Sequence, residues 1–474
     1  MQFGTLSFSL FYATVVALYW GLGAERRGAQ KWLLLGASYV FYASFAWQFA
    51  ALLLLSTGVN FAIGRWIGAA RSAPALAPLR VGLAFNLLLL GVYKYYGFFR
   101  DNLEDLLLLL GLEPHLPILT LVLPIGISFY TFQAIAYLVD VHRGQGPQAR
   151  SLLDFALFLA FFPQLLIGPI CRGRDLLPQI EGPAPRSVEQ FSTGVTLILS
   201  GLFKRAVLAT LLYEQGVSSA FDHPEGHSAA ALWVGAVGYT IYLYADFSGY
   251  TDMARGFGAM LGFRIPENFR GPYAATTIGE FWRRWHITFS QWLRDFIYFP
   301  LGGSRKGQLR TYFNLFATLF VCGLWHGATW GFLIWGSIHG VALVLYKATL
   351  DYKRARGLPL RQSPPMAFVG WWWTFSVCVL SRIFFYAPDF QGALTYFARL
   401  VDFQAPGDGF APLMLPLIGL GLWMNFHGTA FRTRFVGIAE RLPLVARLLF
   451  WAIALLAIAW LRPDGVAPNV YFRF

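Results

Sequence analysis

His326 stands in the stretch Gly323-Leu324-Trp325-His326-Gly327, near the middle of an apolar block at 313–350 that contains no carboxylate to pair with it. An ionisable group inside such a block is costly to keep there and is functional by default. The flanking glycines let a second backbone, or a substrate, come close. A neutral imidazole has a suitable ordinary pKa to take a proton from a hydroxyl at neutral pH, so His326 reads as a general base. His339, in Trp335-Gly-Ser-Ile-His339-Gly340, is nearer the end of the same block. His286 closes Phe281-Trp-Arg-Arg-Trp-His286 and reads either as a second functional histidine or as a structural one. A further polar run, Tyr242-Leu-Tyr-Ala-Asp246-Phe-Ser248-Gly-Tyr250-Thr-Asp252, falls where an apolar span is expected. Asp246 and Asp252 are six residues apart and so lie on different helical faces, which argues against a paired acid/base site. A polar cavity lining, or a helix broken at Gly249, suits them better. The cysteines Cys171, Cys322 and Cys378 lack metal or CxxC spacing and read as buried free thiols. No metal site is expected.

The elements that position these residues must be membrane helices. Hydrophobic residues are 57% of the 474 and charged ones 13%, with a mean hydropathy of +0.52; a soluble chain carries about 25% charged residues. The net charge of +13 sits in short basic runs between apolar stretches. It therefore reads as a topology signal, and no nucleic-acid partner is expected. The first apolar stretch, about 4–22, has neither a positive segment before it nor a small-residue cleavage site after it, so a retained span is expected. Spans of about 20 residues, oriented by loop charge, place Arg26, Arg27 and Lys31, and then Arg65, Arg71 and Arg80, on the cytoplasmic side, with two short helices between them in 32–64. Residues 81–99 should cross to an outer loop holding Asp101, Glu104 and Asp105. The segment 152–170 has basic flanks and is broken by Pro163 and Gly168-Pro169, so it reads as re-entrant, a backbone tolerated only where protein or a cavity surrounds it. The count comes to about 11–12 transmembrane helices plus re-entrant or interfacial pieces, in a single all-α integral-membrane domain over 1–474 with its core motifs at about 120–345.

Residues 264–312 hold eight basic and three acidic side chains and belong on the cytoplasmic side. Within them Thr277 and Glu280 form a capping box that starts a helix. Phe281, Trp285, Phe289, Trp292 and Phe296 then recur at helical spacing, with Arg283, Arg284 and Arg294 on other faces. A basic helix with an aromatic stripe is expected to lie in the membrane interface, where the aromatics and most of the arginines serve as anchors.

Taken in order, Leu123-Pro-Ile-Gly-Ile-Ser-Phe-Tyr130, Asp246-Phe-Ser-Gly-Tyr-Thr-Asp252, Glu267-Asn268-Phe269, Phe281-Trp-Arg-Arg-Trp-His286 and Leu324-Trp-His326-Gly327 resemble the membrane-bound O-acyltransferase (MBOAT) superfamily. More narrowly, the chain resembles the membrane subunit of bacterial alginate and exopolysaccharide O-acetylation systems, and more distantly the teichoic-acid D-alanylation protein, through to the terminal Val470-Tyr-Phe-Arg-Phe474. The resemblance implies a multi-pass protein of the bacterial inner membrane, a transferase with His326 catalytic and His286 a second important histidine, and a funnel through which an acyl group crosses. It does not fix the acceptor.

The chemistry then needs a base and something to hold the oxyanion. His326 is the expected base, Asn268 and the Trp325 indole are candidate donors, and Asp246, Ser248 and Tyr250 are expected to line the substrate path. No bound cofactor is expected. The donor, acetyl-CoA or an acyl-carrier thioester, should dock at Arg283, Arg284 and Arg305, whose guanidinium groups suit phosphates. The expected partners are the bilayer and a periplasmic acyltransferase or other polysaccharide-modifying protein. The rival reading is a transporter or flippase of a lipid-linked saccharide, which would share the topology; transporters are commonly built from repeated halves, and no repeat is evident. A membrane glycosyltransferase would need an acidic sugar-nucleotide or metal motif, and none is evident either.

Overall fold

The computed structural model describes residues 1–69, 76–114, 116–119, 121–183 and 187–463; Arg71 of the basic loop and the terminal 470–474 motif lie outside them. The described residues are helical, with one isolated β-bridge between His227 and Asp408. Helices suit lipid because each satisfies its own backbone hydrogen bonds. Six are long and apolar enough to cross a membrane: Trp47–Ala69, Leu76–Leu109, Glu189–Asp222, Trp330–Ala355, Pro364–Tyr386 and Leu444–Leu461. The protein is an all-α, multi-pass membrane protein. Other expected crossings are also helices, among them Leu6–Gly21, Arg27–Ala43, Ile127–His142, Ala229–Met260, Gln308–His326 and Met414–Arg441, but these are shorter or more polar than a lone apolar span.

The chain forms two compact units, Met1–Ile198 with Tyr250–Pro266, and Leu199–Gly249 with Glu267–Phe474. In the first, Asn60 and Asn86 exchange side-chain amide hydrogen bonds, at 2.7 Å for Asn86 Nδ2 to Asn60 Oδ1, joining two spans by polar pairing. The helix Leu152–Ala160 stops at Phe161 and a short turn Phe162–Leu165 follows, both largely buried in protein as a re-entrant piece requires; the half-buried helix Gly173–Glu181 comes next. Arg27 donates to the carbonyls of Gln179, Ile180 and Gly182 at that helix's C-terminus, and Lys31 pairs with Asp154 at 2.5 Å. Two cations of the first basic loop are therefore engaged in packing, where a helix end favours positive charge. The outer loop expected after residue 99 is instead helix through Leu109, with Arg100 paired to Asp101 and Glu104.

In the second unit the hairpin of Gln308–His326 and Trp330–Ala355 closes on glycines. A Cβ on Gly323 would lie 2.3 Å from Phe332 O, and one on Gly336 would lie 2.5 Å from Leu319 O. Small residues let the two backbones approach, as in other membrane helix pairs. Ala229–Met260, which carries residues of both units, runs unbroken through Gly249, so of the two readings of its polar run the broken helix does not hold. Gly249 is needed for proximity rather than for a bend, because a Cβ would meet Gly201 O at 2.7 Å. Cys171, Cys322 and Cys378 are buried free thiols, as expected.

Candidate active site

The segment at 266–293 departs most from expectation. Thr277 Oγ1 caps the new helix by accepting from Glu280 N at 3.1 Å, while the Glu280 carboxylate reaches back to Thr276 N at 2.9 Å, a capping box shifted by one residue. The helix then ends at Arg284, and a second one, Ile287–Leu293, starts after His286. His286 is the hinge, with φ 43° and ψ 55°, and among the described residues it is the non-glycine with positive φ. Such a conformation costs about 1–3 kcal/mol and persists only where surrounding structure holds it. Phe281, Trp285, Phe289 and Trp292 are buried in protein rather than laid on a membrane surface. The expected interfacial stripe is the wall of a site, because the break at His286 turns both short helices inward.

Asn268 holds the hinge. Its backbone carbonyl accepts from Ile287 N at 2.9 Å, and its Oδ1 accepts from Thr288 N at 3.1 Å and Thr288 Oγ1 at 2.9 Å. Since a backbone N–H can only donate, that side-chain atom is the oxygen, and His286 Nδ1, 3.3 Å away, donates to it. The imidazole lone pair therefore sits on Nε2. Burial pushes the His286 pKa down to about 3, so the ring is neutral at physiological pH. Asn268 Nδ2 is buried and meets no acceptor.

His326 is the last residue of its helix, 5% exposed, with its ring 4.6 Å from Trp325, and 5.0 Å from both Trp335 and Phe385. Phe289 and Trp325 pack against both histidines: Phe289 lies 5.0 Å from the His286 ring and 6.3 Å from that of His326. The structure thus brings His286, Asn268, Trp325 and His326 into one aromatic-walled cluster. His339 belongs to its edge: Nε2 lies 3.0 Å from Ser381 Oγ, and Trp335 is 4.8 Å away. An apolar cavity of about 250 Å³ opens beside it, lined by Trp282, Leu293, Tyr298, Leu315, Leu319 and Leu343 among others.

The remaining sequence candidates are placed differently. Asp246, 2% exposed, is tied to Arg205 Nε at 3.1 Å. Ser248 is buried on the same helix, while Tyr250 belongs to the first unit, where it stacks on Phe3 at 4.6 Å. Arg284 is engaged by Glu280 Oε1 at 2.6 Å and by Gly271 O, whereas Arg283 and Arg305 are exposed. Sequence reading passed over Arg205 and Arg382. Both are buried cations inside spans, and that placement was the signal to notice.

The model of the membrane-bound O-acyltransferase family matches residues 147–387, which include every residue of this cluster. The chain belongs to that family. It is 42% identical over 401 residues to a probable alginate O-acetylase of Pseudomonas putida, covering 83% of this chain and 79% of that one. It is 34% identical over 397 residues to a peptidoglycan O-acetyltransferase of Helicobacter pylori, covering 78% and 73%. It is 27% identical over 248 residues to a teichoic acid D-alanyltransferase of Bacillus subtilis, covering 49% and 61%. As a member of this family it is a membrane O-acyltransferase, and it uses an acyl donor.

Proposed function

We propose that this O-acyltransferase takes an acetyl group from a cytoplasmic thioester, acetyl-CoA or an acyl carrier, and moves it across the bacterial inner membrane for O-acetylation of an extracytoplasmic polysaccharide. His326 acts as general base. The observation that carries this reading is the burial of His326 among Trp325, Trp335 and Phe385, beside a second histidine kept neutral by burial and held in one tautomer by Asn268. A neutral imidazole in a dry aromatic site accepts a hydroxyl proton, and water is kept from the thioester. As the acceptor oxygen bonds the carbonyl carbon, its proton passes to His326. The tetrahedral adduct then collapses, and the thiolate leaves with that proton. Asn268 Nδ2, buried and without an acceptor, suits the carbonyl oxygen. The exposed Arg283 and Arg305 suit the donor's phosphates, and Arg284 suits them less because Glu280 holds it.

Two of the relatives named above carry acetyl transfer in their names, to alginate or peptidoglycan, which supports acetyl and leaves the acceptor open. The final transfer belongs to a periplasmic acyltransferase partner. Purified protein given radiolabelled acetyl-CoA and a small acceptor alcohol should release thiol and label that alcohol, while a polysaccharide should stay unlabelled until the periplasmic partner is added. His326→Ala should lower that rate by at least about 10²-fold, the usual weight of a general base, with expression and membrane insertion unchanged. Wild-type rates in His326→Ala would remove it from the mechanism.

A further inference from the structure

Three arginines among the described residues are buried, and two of them have carboxylates: Arg172 lies 3.7 Å from Asp140, and Arg205 lies 3.1 Å from Asp246. Arg382, the most deeply buried at 2% exposed, is joined to no carboxylate among the described residues, and its Nη1 meets no acceptor. It lies in the span Pro364–Tyr386, where an unneutralised guanidinium is expensive. Aromatic faces hold it in place, with Cζ 4.7 Å from the Trp285 centroid and 5.1 Å from that of Tyr273. Cation–π contact of this kind offsets part of the desolvation, and a side-chain hydrogen bond with Tyr273 engages the guanidinium as well, but Nη1 stays buried without an acceptor.

Its neighbours belong to the cluster described above. Trp285 precedes the hinge His286. Phe385, one turn along the helix from Arg382, packs on the His326 ring at 5.0 Å, and Ser381, the preceding residue, bonds His339 Nε2 at 3.0 Å. His339 Nδ1 and Trp335 Nε1 are also buried without hydrogen-bond partners. Three polar atoms at one edge of an aromatic cluster thus lack partners from the protein, and one of them carries a full charge. Buried groups of this kind call for a partner from outside the chain.

We propose that Arg382 is a catalytic residue of the acyl transfer, whose unpartnered Nη1 holds the acyl carbonyl oxygen as it becomes an oxyanion. This assignment rests on the thioester-transfer reading above. As the acceptor oxygen bonds the carbonyl carbon, the C=O π pair moves onto that oxygen, and its negative charge is what Arg382 lacks. Collapse returns the pair to the C=O bond, the C–S bond breaks, and the thiolate takes the proton held by the histidine. The neutral amide of Asn268 can donate one hydrogen bond to this oxygen; Arg382 supplies the opposite charge, already desolvated and held against the stacked Tyr273 and Trp285 rings, so little reorganisation is needed during reaction.

The test measures thiol release by purified wild type, Arg382→Gln and Arg382→Lys with two donors, acetyl-CoA and the phosphate-free S-acetylpantetheine, alongside thermal unfolding. Arg382→Gln should lower kcat by about 10²–10³-fold with both donors, as for loss of one oxyanion donor, and leave KM within a few-fold. Arg382→Lys, which keeps a cation, should recover part of that loss. A KM rise confined to acetyl-CoA would instead make Arg382 a phosphate clamp and overturn the assignment. Normal kcat in Arg382→Gln with a lowered Tm would make it a structural cation and would also overturn it. Should Arg382→Gln fail to fold, full activity in folded Arg382→Lys with unchanged salt and pH response would count against the oxyanion role, because a point charge cannot replace the bidentate fork without loss. Wild type inert toward both donors would overturn the thioester reading itself, and this assignment with it.

Discussion

His286 combines a left-handed backbone, near-complete burial and a hydrogen bond from Nδ1 to Asn268 that selects its tautomer. Strain in a buried polar residue is retained where it aims a side chain, and here it turns the ring toward Trp325 and Phe289. Burial also has a thermodynamic consequence. The unfolded chain protonates this imidazole near its ordinary pKa of about 6.5, whereas the folded protein refuses the proton until pH approaches about 3. The unfolded state then binds more protons between those values, so this contribution to stability is intact above pH 6.5 and declines as pH falls toward 3. Unfolding in detergent from pH 8 to pH 5 should show that decline, and His286→Gln should make it shallower. An identical pH slope in the variant would mean that the ring titrates normally in the folded protein.

Helix contacts in the second unit are made in two ways, by backbone proximity and by buried charge. At Gly323 a side chain would strike the carbonyl of Phe332, a backbone atom that cannot move aside. Gly323→Leu should therefore cost more than about 3 kcal/mol and yield little folded protein, whereas Gly36→Ala, with nothing within 4 Å of its added Cβ, should be neutral or slightly stabilising. Thermal unfolding of the two variants separates them, and equal Tm values would rule out the close crossing. Arg205 and Asp246 illustrate the second way, since they join the span Glu189–Asp222 to the helix Ala229–Met260 through a buried ion pair. Arg205→Ala leaves a buried carboxylate and should cost about 3–5 kcal/mol. The double variant Arg205→Ala/Asp246→Ala should recover much of that. A double variant no more stable than the single one would show that Asp246 has another partner as important as Arg205.

For the molecule as a whole, charge supplies a testable orientation. The segment 264–312 carries eight basic side chains against three acidic ones, and on the positive-inside tendency we propose that it faces the cytoplasm. A cysteine introduced at Lys306 should therefore be protected from membrane-impermeant thiol reagents in intact cells, while one at Gly226 should label. Both positions are exposed, and the native cysteines are buried, so background is low. The reverse pattern would put the exposed arginines of the proposed donor surface on the wrong side. Relatives named for alginate, peptidoglycan and teichoic acid share this chain's pattern, so the acceptor is set outside what they have in common.

Composition and hydropathy were enough, by themselves, to determine a multi-pass helical protein; its family was legible only through the resemblance of its ordered motifs, which also singled out His326, His286 and Asn268 as separate candidates. These properties are readable because lipid penalises each buried polar group one residue at a time. The break at His286 was not readable: Phe281, Trp285, Phe289 and Trp292 keep helical spacing across it, and only the hydrogen bonds from Thr288 and Ile287 to Asn268 stop the helix. The continuity of Ala229–Met260 through Gly249 was equally hidden, since a glycine that bends a helix and one that admits a neighbour look alike in sequence. Tertiary structure also decided which intramembrane charges are satisfied. Arg205 and Arg382 are similar arginines in similar spans, but Asp246 meets one, while the other lies against the stacked rings of Tyr273 and Trp285. Local sequence sets the cost of burying a charge, and only the packing of distant segments sets what faces it.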